Sequence, residues 1–162
     1  MLIHLMQHGA CLSKELNEQQ PLSPVGREQV EKSGRAAARL GLRFDLVVAS
    51  PKDRSRETAG IMARQTGYPV DEIVVTDTVK AMTPTAETLA FINEYSELKS
   101  ILITGHLPSL GALASAMLAH GKVLDIAIEN GGLMQISLEP GQTAGTLNWA
   151  LTPAQLGVIA GS

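Results

Sequence analysis

Cysteine is almost missing from this chain of 162 residues: Cys11 stands alone. A single cysteine excludes an internal disulfide and a multi-cysteine zinc site, and it suits a reducing compartment. Aromatic residues make up only 3% of the sequence, which leaves few flat rings on which nucleic-acid bases could stack. A formal net charge of −3 argues in the same direction, against a sequence-independent DNA binder. No apolar run reaches membrane-spanning length. The first residues carry neither a basic leader nor a long apolar stretch before a small-residue cleavage site, so the expected location is the cytoplasm. What the chain does have is 44% hydrophobic and 18% charged residues, the balance of a globular protein. Its length fits one domain over residues 1–162, with a core of aliphatic residues, Ala and Gly.

Short β-rich runs occur at LIHLM (2–6), DLVVA (45–49), EIVV (72–75) and SILIT (100–104), each followed by a turn signal and a helix-like segment. This alternation predicts an α/β fold with a mostly parallel sheet. Ser23-Pro24 sets a capping hydroxyl before a proline at the first helical position, and an Ala-rich helix should run from there to about Gly41. Ser50-Pro51 and Thr83-Pro84 are read as repeats of that device. Over 109–119, Leu110, Leu113, Ala114, Met117 and Leu118 share one helical face. GLMQISL (132–138) and TLNWAL (146–151) flank EPGQTAG and predict a hairpin added to the sheet edge.

In open α/β sheets, ligands bind beyond the carboxyl ends of the strands. The residues that follow the predicted strands are Gln7-His8-Gly9, the run from Ser50 to Arg56, and Gly105-His106. Two imidazoles and the guanidinium of Arg54 therefore converge on one edge. That set suits phosphoryl transfer: a neutral histidine can attack phosphorus while cationic groups neutralise the equatorial oxygens. Gly9 lets backbone approach a phosphate closely. Lys52 and Arg56 are further cations in the same run, with Arg56 the competitor to Arg54.

Four segments, LMQHG, PLSPVGREQ, SPKDRSRETA and LITGHLPSLG, resemble in order and spacing the histidine phosphatase superfamily, and most closely its small phosphohistidine phosphatases of the SixA type. NWALTP near the end is similar to the same small phosphatases. The resemblance implies a three-layer α/β/α sandwich of the phosphoglycerate mutase-like kind. It also implies that His8 is the nucleophile that becomes phosphorylated, that Arg54 clamps the phosphate, and that His106 binds it, with Gln7 and Gly9 bordering the same site. No cofactor and no metal are implied. The implied substrate is a phosphohistidine on a protein, or else a small phosphomonoester, with no nucleic-acid or membrane partner. Gln7 departs from the pattern, because the family carries arginine before its nucleophilic histidine. A second reading is therefore a phosphate-binding or interaction module with weakened catalysis. Glu87, in MTPTAET, falls nearest the place of the family's proton donor.

Other candidates lose on spacing. His4 and His8 are four residues apart, a zinc-ligand interval on a helix, but in a strand they lie ~13 Å apart at ~3.3 Å per residue. Cys11 has Asn17 rather than arginine six residues on, which excludes a Cys-loop phosphatase. His120 is read as a helix-end residue, and Asn130 as a turn residue bordering the pocket.

Overall fold

Apolar runs and helix caps place the elements in the computed structural model, which describes residues 1–161. In chain order they are β1 (Leu2–Gln7), α1 (Pro24–Arg39), β2 (Leu46–Ala49), α2 (Asp53–Thr66), β3 (Val74–Val75) and α3 (Thr85–Asn93). There follow β4 (Ser100–Gly105), α4 (Ser109–Leu118), β5 (Leu133–Leu138), β6 (Gly145–Leu151) and α5 (Pro153–Ala160). The strands form one six-stranded sheet in the order β3-β2-β4-β1-β5-β6. The first four strands in that order pair in parallel, and β5 and β6 add antiparallel as the expected hairpin.

Alternation along the inner strands divides the core in two. Ile3, Leu5, Val48, Ile101 and Ile103 pack on one face with Ile92 of α3 and Leu110, Leu113 and Met117 of α4. Met6, Val47, Ala49 and Leu102 pack on the other with Val30 of α1, Met62 of α2 and Leu156 of α5. The result is the expected α/β/α sandwich.

Local expectations fare unevenly. Ser23 caps α1 as predicted: its side chain accepts from the Gly26 N–H, and Pro24 opens the helix. The same reading of Ser50-Pro51 and Thr83-Pro84 is corrected. α2 begins at Asp53 with Lys52 at its N-cap and no side-chain cap, because Ser50 is buried and committed elsewhere. Thr83 Oγ1 donates instead to the Asp77 carbonyl at 2.8 Å, and Pro84 precedes the first residue of α3. The third strand is only Val74–Val75, because Val70–Glu72 winds into a 3₁₀ turn. The sequence patterns above do not predict the helix at Pro153–Ala160, although its signal is there: Thr152, just ahead of Pro153, forms a capping box with Gln155.

His4 is a core residue at 1% exposure. Its Nδ1 lies 3.1 Å from the Ile101 carbonyl, which can only accept, so Nδ1 carries the proton and Nε2 accepts from Gln135 at 2.9 Å. Asn148 donates in turn to Gln135 Oε1 at 2.8 Å. Burial pushes the His4 pKa down to about 4, partly opposed by the Ile101 carbonyl. The unfolded chain thus binds this proton near pH 6.5 and the folded chain does not, so stability is present above that pH and is lost as pH falls toward 4. This one group should remove about 2–3 kcal/mol between pH 7 and pH 4.5. Urea unfolding at the two pH values should show a clearly smaller difference in His4→Gln than in the wild type. An unchanged difference would refute the assignment.

Candidate active site

Register brings three strand ends to the same level. Gln7 of β1 pairs with Gly105 of β4, and Ala49 of β2 pairs with Thr104, so His8, His106 and Ser50 leave the sheet side by side. The His8 and His106 rings lie 5.0 Å apart between centroids. Both residues are buried, at 8% and 3% exposure.

The backbone around His8 is held from several directions. The His8 N–H donates to the Gly105 carbonyl at 3.1 Å, and Asn130 Nδ2 donates to the His8 carbonyl at 2.8 Å. The next amide, Gly9 N–H, donates to Thr58 Oγ1 at 3.1 Å, while that hydroxyl donates to the Arg54 carbonyl at 2.7 Å. Thr58 therefore couples the loop after β1 to the first turn of α2. Glycine is required at this point: a Cβ on Gly9 would lie 2.6 Å from Val30 Cγ2 and 2.9 Å from the Gly26 carbonyl.

The ring of His8 has a defined tautomer. Its Nδ1 sits 2.7 Å from the Gly9 carbonyl, so Nδ1 carries the proton and the lone pair is on Nε2. Nε2 has no partner among the described residues, where no buried side-chain nitrogen or oxygen is left unpaired; it is accordingly open to solvent. Burial lowers the His8 pKa, opposed by the Gly9 carbonyl and aided by the Arg54 charge. At neutral pH this imidazole is uncharged, with a free lone pair, which is the form that attacks phosphorus.

His106 is fixed through Ser50, whose Oγ lies 2.6 Å from His106 Nε2. Burial, with the charges of His8, Arg54 and Lys52, pushes the His106 pKa down to about 4. A phosphoryl dianion placed beside it would favour the protonated form. Arg54, in the first turn of α2, is half-buried and bears on both histidines. Arg56 is exposed, and it is not among the charges that act on either histidine.

The remaining candidates fall as follows. Gln7 ends β1, and its carbonyl accepts from the Gly131 N–H at 3.0 Å. Asn130 reaches the loop after β1 through its bond to the His8 carbonyl. Glu87 is exposed on α3, and the charges acting on the histidine pair are Arg54 and Lys52 rather than Glu87. Cys11 sits in an isolated bridge with Leu22. No group of three or more metal-ligating side chains occurs among the described residues, nor does any helix among them suit a membrane span. A cavity of about 680 Å³ runs along α4 from Thr85 and Leu107-Pro108 to Leu124 and Ile126 and does not include the two histidines.

Comparisons with known proteins bear on the fold and its family. Residues 3–77 match the family model described as the histidine phosphatase superfamily (branch 1). The human serine/threonine-protein phosphatase PGAM5, mitochondrial, is 38% identical over 63 residues, which are 38% of this chain and 22% of that protein. Its Drosophila melanogaster counterpart is 33% identical over 73 residues, 44% of this chain and 25% of that protein. The chain thus spans about a quarter of the length of these curated relatives. Among solved structures, the protein histidine phosphatase SixA complexed with tungstate superposes with a TM-score of 0.87 at 19% identity, over 96% of this chain and 99% of that one. The α-ribazole phosphatase of Shigella flexneri gives 0.75 at 16% identity, over 94% and 97%.

Proposed function

We propose that this chain, which has the fold of the histidine phosphatase superfamily and matches that family's model over residues 3–77, is a phosphatase that passes the phosphoryl group through His8. One observation carries the reading: a neutral imidazole with its Nε2 lone pair free lies beside a second buried imidazole and a half-buried arginine. In the first step His8 Nε2 forms a bond to phosphorus as the bond to the leaving group breaks. Water then attacks the phospho-His8, the P–N bond breaks, and His8 and inorganic phosphate are released. Arg54 and protonated His106 neutralise the oxygens as charge develops, and the N–H groups opening α2 add fixed dipoles.

A protein phosphohistidine is the preferred substrate. Glu87 does not bear on the histidine pair, and an imidazole leaves readily once protonated, so such a substrate has the least need of a general acid. The histidine phosphatase complexed with tungstate is one of the neighbours whose printed activity agrees. A small phosphomonoester is the alternative within the same chemistry. In this reading Gln7, Gly9, Arg54 and His106 are the phosphate ligands, and the reaction runs without a metal.

The test is turnover of a phosphohistidine-bearing protein and of an aryl phosphate. Arg54→Ala is expected to lower kcat/KM about 10²–10³-fold, the range for removing one preorganised donor, and Arg56→Ala less than about threefold. Binding of phosphate without turnover of either substrate would favour a phosphate-binding module, and a larger effect at Arg56 would refute the assignment of Arg54.

A further inference from the structure

We propose that Lys52 supplies a second phosphate-binding charge at this site, compensating for the neutral side chain at Gln7. The proposal rests on the phosphatase reading above and adds a residue to it.

Topology places the two positions on opposite sides of His106. The sheet order sets β4 between β1 and β2; Gln7 ends β1, and Lys52 follows β2 at the N-cap of α2. Neighbouring strands lie ~4.8 Å apart, so the ends of β1 and β2 flank the β4 histidine at similar distances. The backbone root of Lys52 is pinned to that histidine's own support: its N–H donates to Ser50 Oγ at 3.4 Å, and the same oxygen lies 2.6 Å from His106 Nε2. Ser50 therefore holds the imidazole and the start of the lysine together.

The Lys52 side chain is exposed and has no carboxylate partner among the described residues, whose ion pairs are Arg27–Glu57, Lys32–Glu28 and Lys80–Asp77. Its charge nevertheless reaches the site, because it is one of those that depress proton binding at His106. Arg54 offers a planar fork on a half-buried stem, whereas lysine brings a compact charge on a flexible one. Together they can engage a phosphoryl group from two directions, with Gln7 limited to a neutral amide.

If Lys52 does this, an added arginine at position 7 and the native Lys52 satisfy the same need, and their effects cannot be independent. Five proteins test it: wild type, Lys52→Ala, Lys52→Arg, Gln7→Arg and the Lys52→Ala/Gln7→Arg double variant. kcat/KM is measured on an aryl phosphate, and tungstate affinity by calorimetry, which needs no turnover. Lys52→Ala should weaken both about 10–30-fold, with Lys52→Arg keeping most of each, as expected for removing and then restoring a charge at a phosphoryl oxygen. Gln7→Arg should strengthen both by a factor at least about tenfold larger in the Lys52→Ala background than in the wild type.

Tungstate affinity and turnover within about twofold of wild type in Lys52→Ala would overturn the proposal. So would an equal Gln7→Arg factor in the two backgrounds. His8→Ala is run alongside: if it retains turnover, the phosphatase mechanism itself fails. If it is inactive while Lys52→Ala is fully active and binds tungstate normally, only the role of Lys52 fails.

Discussion

His8→Ala should lose at least ~10³-fold in turnover while remaining folded, and the wild type should be labelled on His8 when quenched during turnover. Folding survives because the bonds that hold this position are made by backbone: the His8 N–H to Gly105 and the His8 carbonyl from Asn130. Neither needs the imidazole. Activity is lost because the Nε2 lone pair, freed by the Nδ1 proton's bond to Gly9, is the only nucleophile in the proposed step. Phosphohistidine is labile to acid, so the quench must be alkaline, and the label should then lie on the peptide containing His8. Label on Ser50 or Cys11, or turnover within about tenfold of wild type in His8→Ala, would refute covalent catalysis at this residue.

The second large effect is expected at Gly26, where the usual rule for glycine in a helix reverses sign. Replacing an interior helical glycine with alanine ordinarily stabilises by about 0.5–1 kcal/mol. At Gly26 the added Cβ would lie 1.8 Å from the Ala10 carbonyl oxygen and 2.7 and 2.8 Å from the Ala10 carbonyl carbon and amide nitrogen. All three are backbone atoms, so no side-chain rotation relieves the overlap. The same carbonyl is held by the Ser23 amide at 3.0 Å and the Ser23 hydroxyl at 3.3 Å. α1 must therefore back away from the segment that follows His8 and Gly9, and both cap and site suffer. Gly26→Ala should cost about 3 kcal/mol or more and lower activity in whatever fraction folds. Gly60→Ala is the control, since its Cβ would meet only Arg64 Nη1, at 3.6 Å; it should be neutral or stabilising by up to about 1 kcal/mol. Equal effects at the two glycines, read by urea unfolding, would show that the close approach at Ala10 is of no account.

Much of this architecture was legible in local patterns. The four apolar runs, the Ser23-Pro24 cap, the face shared by Leu110, Leu113 and Met117, and the final hairpin all depend on residues close in sequence. The convergence of His8, Arg54 and His106 followed from one topological rule about strand ends, supported by a resemblance that spans the chain. Legibility failed where a side chain's partner is remote. Ser50 has the composition of a helix cap, but its hydroxyl meets a histidine 56 positions away, so the cap passed to Lys52. Thr58 lies inside α2 and reads as an ordinary buried helical residue, although its hydroxyl takes the Gly9 amide 49 positions back. The third strand shortened because its extended stretch competes with two 3₁₀ turns, at Val70–Glu72 and Asp77–Val79, which leave only Val74 and Val75 to pair.

The sheet order also carries a consequence for motion. β1 and β4 are inner strands with a hydrogen-bonded neighbour on each side, and their amides belong to the part of such a fold that exchanges with solvent last, through global rather than local opening. His8 and His106 extend directly from those strands. The cations come from the first turn of α2 and the residue before it, at a helix end, where amides fray and reclose more readily. In the proposed reaction the site is therefore kinetically two-sided: an imidazole pair as persistent as the fold, faced by cationic groups on a helix end that would admit and release the anion. Warming should loosen the cationic side well before it disturbs the spacing of the two rings.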